Sequence, residues 1–153
     1  MKKPFLKCIA LFALLFSAAA ANASNGEIVF NCFTKNKKEI KIVKNGNKFT
    51  YAFGKINLKP DILLTRHESQ LMFYAWKGVG KDMPYSITFQ NGEYSYTVYE
   101  TIARDYSEDE VQVEIFNGVN VEKNGQSVAN IPCLKGYAIH SDLQEMAESY
   151  SSD

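Results

Sequence analysis

The segment with the clearest recognition chemistry is WKGVGKD, which runs from Trp76 to Asp82. It places a large aromatic ring beside Lys77, Lys81 and Asp82, and its two glycines give the backbone freedom. Tryptophan is enriched among residues that dominate binding energy, and loops carry many binding sites. The spacing of a phosphate-binding loop is absent. We interpret the segment as a candidate contact loop, the alternative being a core tryptophan followed by a solvated turn.

A second candidate is the acidic segment RDYSEDE, from Arg104 to Glu110. Its alternating oxygen-bearing side chains resemble the start of a calcium loop, but Glu110 and Phe116 stand where an EF-hand needs glycine and glutamate. An EF-hand is therefore excluded, and irregular calcium binding stays open. We expect a solvated negative patch that attracts a basic partner. The acidic residues of this patch are Asp105, Glu108, Asp109 and Glu110.

Signatures of catalysis are sparse. The two histidines, His67 and His140, lie in RHES and IHSD, and neighbouring residues of a strand point to opposite faces, so neither string forms a catalytic triad. Zinc needs three or four convergent ligands, which two distant histidines do not supply. We therefore expect no metal, no cofactor and no enzymatic activity. A hydrolase with two converging carboxylates remains the second alternative.

The N-terminus predicts export. Basic MKKPFLK precedes the apolar run CIALFALLFSAAA, and Ala21-Asn22-Ala23 supplies a small-x-small cleavage pattern. The apolar run is too short to span a bilayer comfortably. We predict a signal peptide over residues 1–23, cleavage before Ser24, and one mature domain over residues 24–153. The mature protein is expected in the periplasm or outside the cell, with no membrane attachment.

Two cysteines remain in the predicted mature chain, Cys32 and Cys133. In an oxidising compartment such a pair is expected to form a disulfide. The bond would close a loop of about 100 residues and stabilise the fold by about 4–5 kcal/mol through the entropy of the unfolded chain. No C-x-x-C spacing occurs, so we expect a structural role.

Charge is unevenly distributed along the chain. The predicted mature protein has 14 basic and 17 acidic residues. Residues 35–81 hold 11 basic and 3 acidic residues, whereas residues 82–153 hold 3 basic and 13 acidic residues. Such a division steers charged partners, unless strands from the two halves interleave and their fields cancel. An acidic, exported protein is not expected to bind nucleic acid.

Period-two alternation indicates β-strands at Glu27–Phe33, Glu39–Lys44 and Lys48–Phe53. Four Asn-Gly pairs predict type I′ hairpin turns: Asn45-Gly46, Asn91-Gly92, Asn117-Gly118 and Asn124-Gly125. Further strands are predicted at Leu71–Lys77, Tyr85–Gln90, Glu93–Glu100, Val111–Phe116, Asn120–Lys123 and Ser127–Cys133. The predicted fold is all-β, an antiparallel sandwich or barrel built from hairpins.

A short C-terminal helix is also predicted, with Ser141 as N-cap and Gln144 three residues later. Its apolar stripe is Leu143, Met146, Ala147 and Tyr150.

The tyrosine-rich stretch from Tyr85 to Glu100 is interpreted as a hairpin rather than a binding surface. A turn at Asn91-Gly92 places the large side chains on one face and Ser and Thr on the other, as expected of a face on the core. The predicted large pairs are Phe89 with Tyr94, Ile87 with Tyr96 and Tyr85 with Val98; the small ones are Thr88 with Ser95 and Ser86 with Thr97. In Leu71–Trp76 both faces are apolar, which fits a buried strand or a cavity wall.

The succession IVFNC, WKGVG, YSITFQNGEYSYTVY and VANIPC resembles small exported bacterial β-proteins of uncharacterised function. A looser likeness is to periplasmic lysozyme inhibitors, which are also small, exported, disulfide-tied antiparallel β-proteins. The Ser- and Gly-rich inhibitory loop expected of that family is missing from this sequence, where WKGVGKD is only a distant stand-in, and no residue role is carried over.

These observations favour a binding function. We expect the protein to bind or neutralise a protein partner, in the manner of an inhibitor or immunity protein, and the partner to be cationic, such as a wall-degrading enzyme or a toxin. The alternative is a small barrel that carries an apolar ligand, with Tyr74 and Trp76 inside. The identity of the partner and the oligomeric state are left open by the sequence.

Overall fold

The structure is a computed structural model that describes residues 26–107, 110–137 and 139–151. The predicted signal peptide, Ser24, and two residues of the acidic patch, Glu108 and Asp109, lie outside the described residues. The strands are β1 (Glu27–Phe33), β2 (Lys38–Asn45), β3 (Lys48–Lys55), β4 (Ile62–His67), β5 (Met72–Tyr74), β6 (Asp82–Asn91), β7 (Tyr94–Asp105), β8 (Gln112–Lys123), β9 (Gln126–Pro132) and β10 (His140–Ser141). A 3₁₀ turn (Glu68–Gln70) precedes β5, and helix α1 (Leu143–Tyr150) follows β10.

The strands form two antiparallel five-stranded sheets. Sheet 1 has the order β10-β1-β2-β3-β4, and sheet 2 has the order β5-β6-β7-β8-β9. Both sheets are open across the described residues, so the all-β prediction is confirmed as a sandwich and not as a closed barrel. None of the described helices is long and apolar enough to cross a membrane.

The core lies between the inner faces of the two sheets. Alternate residues of β2 and β3 point inward and are buried, as the period-two pattern predicts. In β1 the consecutive residues Val29 and Phe30 are both buried, at the point where its register with β2 shifts. The ring of Tyr51 on β3 lies 5.5 Å from that of Phe89 on β6 and 5.6 Å from that of Tyr96 on β7. These cross-sheet contacts bury aromatic surface, the largest favourable contribution available to a domain of this size.

The predicted disulfide is confirmed. Cys32 on β1 bonds to Cys133, which directly follows β9. The backbone of Cys133 also bridges to Thr34 and donates an N–H to the carbonyl of Asn117 on β8, at 2.8 Å. The disulfide therefore joins sheet 1 to sheet 2 at a point that is already held by backbone hydrogen bonds.

The four Asn-Gly pairs have three different conformations. Asn124 and Gly125 both have positive φ and form the predicted type I′ turn. At the β2–β3 and β6–β7 turns the central residues are Gly46-Asn47 and Gly92-Glu93, and only the glycine has positive φ, which is the type II′ pattern. The type I′ prediction is wrong for these two turns, because the glycine supplies the first central residue.

The turn predicted at Asn117-Gly118 is wrong, because both residues lie inside β8. A Cβ at Gly118 would lie 2.6 Å from the carbonyl oxygen of Ile131 and 2.9 Å from Cα of Pro132. This glycine allows a close approach of β9 and is not needed for a turn. The two strands predicted at Val111–Phe116 and Asn120–Lys123 are consequently parts of one long strand, β8, which begins at Gln112.

The register predicted for the tyrosine-rich hairpin is also wrong, since the turn begins one residue later. The structure pairs Phe89 with Tyr96, Ile87 with Val98, Tyr85 with Glu100, Thr88 with Thr97 and Ser86 with Tyr99. Each partner moves by two positions, so every side chain keeps its predicted face. The large side chains still point to the core, except for Tyr94 beside the turn, which is exposed.

Other boundaries differ from the prediction. β5 ends at Tyr74, before Trp76, and β4 was not predicted. The helix N-cap is Asp142, one residue after Ser141. The predicted apolar stripe is confirmed, because Leu143, Met146 and Ala147 are buried and the Tyr150 ring stacks on Phe73 with ring centroids 4.6 Å apart.

The chain topology separates the charges instead of interleaving them. Sheet 1 is built from β1–β4 plus the short β10, and the span of β1–β4, residues 27–67, holds nine basic and three acidic residues. Residues 68–151, which supply sheet 2 and α1, hold five basic and thirteen acidic residues. The alternative in which the two fields cancel is therefore wrong, and one sheet is basic while the other is acidic.

Replacing both cysteines by serine should destabilise the fold without changing its topology. The loop that the disulfide closes spans 101 residues, so the expected loss in the free energy of unfolding is about 4–5 kcal/mol. Urea denaturation of the oxidised protein and of the double variant measures the difference. A loss below about 1 kcal/mol would mean that the bond adds little to the backbone contacts around it.

Candidate functional site

The two predicted contact segments meet at one end of sheet 2. β6 begins at Asp82, β7 ends at Asp105 and β8 begins at Gln112. Because β6 and β7 are antiparallel, with Asp82 opposite Ala103, the start of β6 and the end of β7 lie side by side. We call this region, residues 76–82 together with 103–107 and 110–116, the distal end of sheet 2.

A groove of about 600 Å³ opens to solvent at the distal end. Its lining includes three of the predicted contact residues, Lys81, Asp82 and Asp105. The Asp105 carboxylate accepts a hydrogen bond from the backbone N–H of Ser107 at 3.0 Å. The Ser107 hydroxyl, then this N–H, and more weakly Lys81, hold the pKa of Asp105 below its ordinary value. Lys81, Asp82 and Asp105 thus share one mixed-charge groove.

Trp76 and Lys77 do not line this groove. The indole Nε1 of Trp76 donates to the carbonyl of Val79 at 2.9 Å, and its ring packs partly against the core. This matches the alternative of a core tryptophan more closely than an exposed contact residue. Lys77 is exposed, and the loop presents Val79, which is 82% exposed, instead of the indole ring.

The acidic patch is described only in part. Asp105 and Glu110 are both exposed. Within the described part of the chain, no group of three or more His, Cys, Asp or Glu side chains converges as metal ligands would.

Sequence reasoning missed an exposed apolar strand at the distal end. Val113, Ile115 and Phe116 of β8 are 58%, 52% and 41% exposed. Val111 and Tyr106 beside them are also exposed. The sequence predicted this strand to be part of a hairpin. Its apolar side chains could be recognised as exposed only once the strands beside it were known.

As far as the described residues show, this part of β8 is paired on one side only. It pairs with β7 as far as Gln112, but its pairing with β9 begins at Gly118. The carbonyl of Asn117 faces the β9 side, where Cys133 donates to it. By strand alternation the N–H and C=O groups of Val113 and Ile115 also face that side, and no backbone hydrogen bond among the described residues reaches them. We call residues 112–116 the β8 edge.

The β8 edge is partly covered by one side chain. The ammonium group of Lys135 contacts the Glu114 carboxylate and lies 5.2 Å from the centre of the Phe116 ring. Lysine near an edge strand discourages indiscriminate pairing. Val113 and Ile115, on the opposite face, stay exposed.

A second concave region, also missed from the sequence, lies between α1 and β7. It has a volume of about 560 Å³, is open to solvent, and has no basic residue among the described residues that line it. The residues that line it are Glu100, Ser141, Asp142, Gln144, Glu145, Glu148 and Ser149. We call it the acidic cleft.

Glu100 lies at the base of the acidic cleft and is 8% exposed. Burial raises the pKa of its carboxyl, and hydrogen bonds from the side chains of Ser141 and Asn117 oppose this effect. No Lys or Arg among the described residues forms an ion pair with it. The period-two pattern could have revealed this residue, since Glu100 falls in step with inward-facing Tyr96 and Val98.

Two other acidic groups of the cleft, Asp142 and Glu148, have polar neighbours. Asp142 contacts Nε2 of His140 at 2.9 Å, and the same nitrogen lies 2.6 Å from the carbonyl of Ile28. Gln144 donates to Glu148 at 3.1 Å. Burial, and then the nearby Glu148 carboxylate, raise the pKa of Tyr85.

Replacing Glu100 by Gln should stabilise the free protein at pH 7 by about 1 kcal/mol, because a buried carboxylate without a cation carries a desolvation cost. Burial raises the folded-state pKa above the ordinary value of 4.5, so the cost is present above the folded-state pKa. It disappears below the unfolded-state pKa, where both states hold the proton. The gain should therefore vanish near pH 4 in thermal or urea unfolding.

The matched control is Glu145→Gln, which removes a charge from an exposed position of the same cleft. It should change the free energy of unfolding by no more than about 0.5 kcal/mol. Destabilisation by Glu100→Gln at pH 7 would show that the carboxylate is well compensated in the free protein.

Comparison with protein-family models, with curated proteins and with solved structures finds no significant match. The function is therefore argued from the geometry of the distal end and the acidic cleft.

Proposed function

We propose that the mature protein is an exported binding protein that holds a cationic protein partner at the distal end of sheet 2. The observation that carries this proposal is the β8 edge. It combines backbone groups that pair with none of the described residues, exposed apolar side chains and acidic neighbours in one place.

A protein partner suits the chemistry of the β8 edge. An extended segment of another protein can add to an open sheet edge, with main-chain hydrogen bonds giving affinity and alternate side chains giving specificity. Val113 and Ile115 would contact apolar side chains of such a segment on one face. Contiguous exposed apolar surface of this kind marks interaction sites more often than it marks ordinary surface.

The charge distribution favours a cationic partner. Residues 68–151, which supply sheet 2 and α1, hold thirteen acidic and five basic residues. A basic partner would be steered toward this side of the sandwich and away from basic sheet 1, which raises the rate of association more than the final affinity. The expected consequence is an association that weakens as salt is added.

An inhibitory or neutralising role is the form of this function that we favour. A cationic wall-degrading enzyme or toxin would meet an exported protein in the periplasm or outside the cell. The Cys32–Cys133 disulfide supports an oxidising compartment. The likeness to periplasmic lysozyme inhibitors points the same way.

The apolar-carrier alternative gains no support from the geometry. Tyr74 is 47% exposed on the outer face of sheet 2, and Trp76 is bonded within its own loop. The space between the sheets is occupied by side chains such as Phe49, Tyr51 and Phe89, all fully buried. No observation on the described residues favours a hydrolase either, so we propose no second function.

The test is capture of envelope and culture-fluid proteins by immobilised residues 24–153, repeated with the double variant Val113→Lys/Ile115→Lys. Lysines on the edge block strand addition and repel a cationic partner, so capture of the dominant protein should fall at least about tenfold. Raising the salt concentration should also release that protein.

The matched control is Leu63→Lys/Thr65→Lys, which adds the same charges to exposed positions of β4, the outer strand of sheet 1. It should leave capture unchanged, and thermal unfolding should confirm that both variants fold. Capture that survives the β8 variant, or that is indifferent to salt, would rule out the proposed contact.

A further inference from the structure

One end of sheet 1 carries a cluster of lysines that strand addition at the β8 edge does not use. The β1–β2 turn and the β3–β4 loop lie side by side there, because Lys38, at the start of β2, pairs with Lys55, at the end of β3. We call this end, residues 34–38 and 54–61, the basic tip. It contains one acidic residue, Asp61, and five basic residues. The basic residues are Lys35, Lys37, Lys38, Lys55 and Lys59.

Four of these lysines have no counter-charge among the described residues. The ammonium group of Lys38 lies 2.8 Å from the Asp61 carboxylate. The other four are exposed and form no ion pair in the described part of the chain. Lys37 has a positive φ of 56°, which is uncommon for lysine, and residues with such backbone strain cluster at functional sites. This excess of solvated positive charge attracts an anionic surface.

Two exposed aliphatic side chains stand among the lysines. Ile56 and Leu58 are 45% and 64% exposed, and neither belongs to the core. Along the loop they alternate with Lys55, Asn57 and Lys59. The backbone N–H of Leu58 donates to the carbonyl of Lys55 at 3.2 Å, so the loop turns back at its end. Exposed aliphatic groups flanked by lysines are typical of surfaces that enter the interface of an anionic membrane.

The base of the loop is fixed against the sheet. A Cβ at Gly54 would lie 2.8 Å from the backbone nitrogen of Asp61 and 2.9 Å from Cα of Pro60, so the returning chain packs directly on this glycine. The Lys38–Asp61 ion pair ties the same point to β2. A binding element that is already ordered avoids part of the entropy that association otherwise costs.

A lipid surface fits this chemistry better than a single phosphate, a nucleic acid or a protein does. All five cations are lysines, which act as point charges, whereas bidentate recognition of one phosphate favours arginine. Neither segment contains an aromatic side chain that could stack on bases. The aliphatic groups lie beyond the last β3–β4 pair, Phe53–Ile62. A bilayer interface accepts such a projection, whereas a protein would need a matching cavity.

We propose that the basic tip is a docking surface for an anionic phospholipid membrane. Ile56 and Leu58 enter the interface, and the four exposed lysines lie beside lipid phosphates. The docking is reversible, because two aliphatic side chains and a few charges bind far more weakly than a membrane-spanning helix. This inference departs from the expectation of no membrane attachment, which rested on the N-terminal segment alone. It does not rest on the proposed function, since it concerns the other sheet and another class of partner.

The test is sedimentation of the mature protein, residues 24–153, with vesicles of phosphatidylglycerol and phosphatidylcholine in equal parts. Vesicles of phosphatidylcholine alone are the reference. Each lysine near an anionic surface strengthens binding about fivefold. We therefore expect the anionic vesicles to bind at least about tenfold more tightly than the neutral ones, and added salt to weaken this binding.

Two double variants separate the apolar contribution from the electrostatic one. Ile56→Ser/Leu58→Ser removes the inserting groups and should weaken binding to the anionic vesicles about tenfold or more. Lys55→Gln/Lys59→Gln removes two charges and should weaken it to a similar degree. All four positions are exposed, so both variants are expected to fold, which thermal unfolding checks.

The matched controls lie elsewhere on the surface. Met72→Ser/Val128→Ser removes two exposed aliphatic side chains from the edge strands of sheet 2. Lys44→Gln/Lys48→Gln removes two charges beside the β2–β3 turn, at the opposite end of sheet 1. Each control should weaken vesicle binding by less than about threefold, because these groups lie away from the docked surface and salt screens distant charges.

Equal binding to neutral and anionic vesicles, or anionic binding that Ile56→Ser/Leu58→Ser leaves unchanged, would overturn the proposal. Absence of vesicle binding would overturn it as well, and capture of an acidic protein through the basic tip would then assign this surface to a protein partner. The proposed function is tested separately, since the β8 variant Val113→Lys/Ile115→Lys should abolish partner capture and the variants of the basic tip should not.

Discussion

The junction at Cys133 is the constraint on which the rest of the architecture depends. At this point the disulfide to Cys32 and the bridge to Thr34 join Cys133 to sheet 1, while its N–H bond to Asn117 holds it on sheet 2. The following residue, Leu134, donates to the carbonyl of Phe33 at 2.7 Å. The chain is thereby turned from the edge of sheet 2 toward sheet 1, where β10 pairs with β1. Residues of α1 line the acidic cleft. Because α1 follows β10 directly, the junction also helps to fix the position of that cleft.

The order of the strands explains how a linear division of charge becomes a spatial one. Each sheet is formed largely by strands that are consecutive in the chain, and only β10 returns to the earlier sheet. The lysine-rich first half consequently occupies one layer and the acid-rich second half the other. Within the acidic layer, the β8 edge and the acidic cleft are neighbours on β7 and β8. The fold therefore concentrates apolar surface, open backbone groups and negative charge on one side of the molecule.

Most of the fold followed from local patterns, whereas most of the candidate site did not. Period-two alternation gave the bounds of β1 and the inner face of the β6–β7 hairpin, because burial on one face leaves a direct imprint on residue order. The turn types predicted from the Asn-Gly pairs were only partly right, because the same dipeptide occurs in three settings. It forms a type I′ turn at Asn124, begins a type II′ turn at Asn45 and allows a close approach of two strands at Gly118. The burial of Glu100 could have been predicted, because it lies two residues after Val98 and four after Tyr96, which both point to the core. The incomplete pairing of the β8 edge among the described residues and the position of the cleft beside α1 depend on residues that are distant in the chain, which no local pattern encodes.

The pairing of the chain's two ends has a consequence for how the protein reaches its folded state. Cys32 and Cys133 are 101 residues apart, and the free edge of β1 is paired only when β10 adds to it. If the protein is exported as proposed, a chain that emerges N-terminus first cannot complete sheet 1 or form the disulfide until nearly all of it has crossed. Contacts of such long range also slow folding. Folding would in that case be completed only after release on the far side.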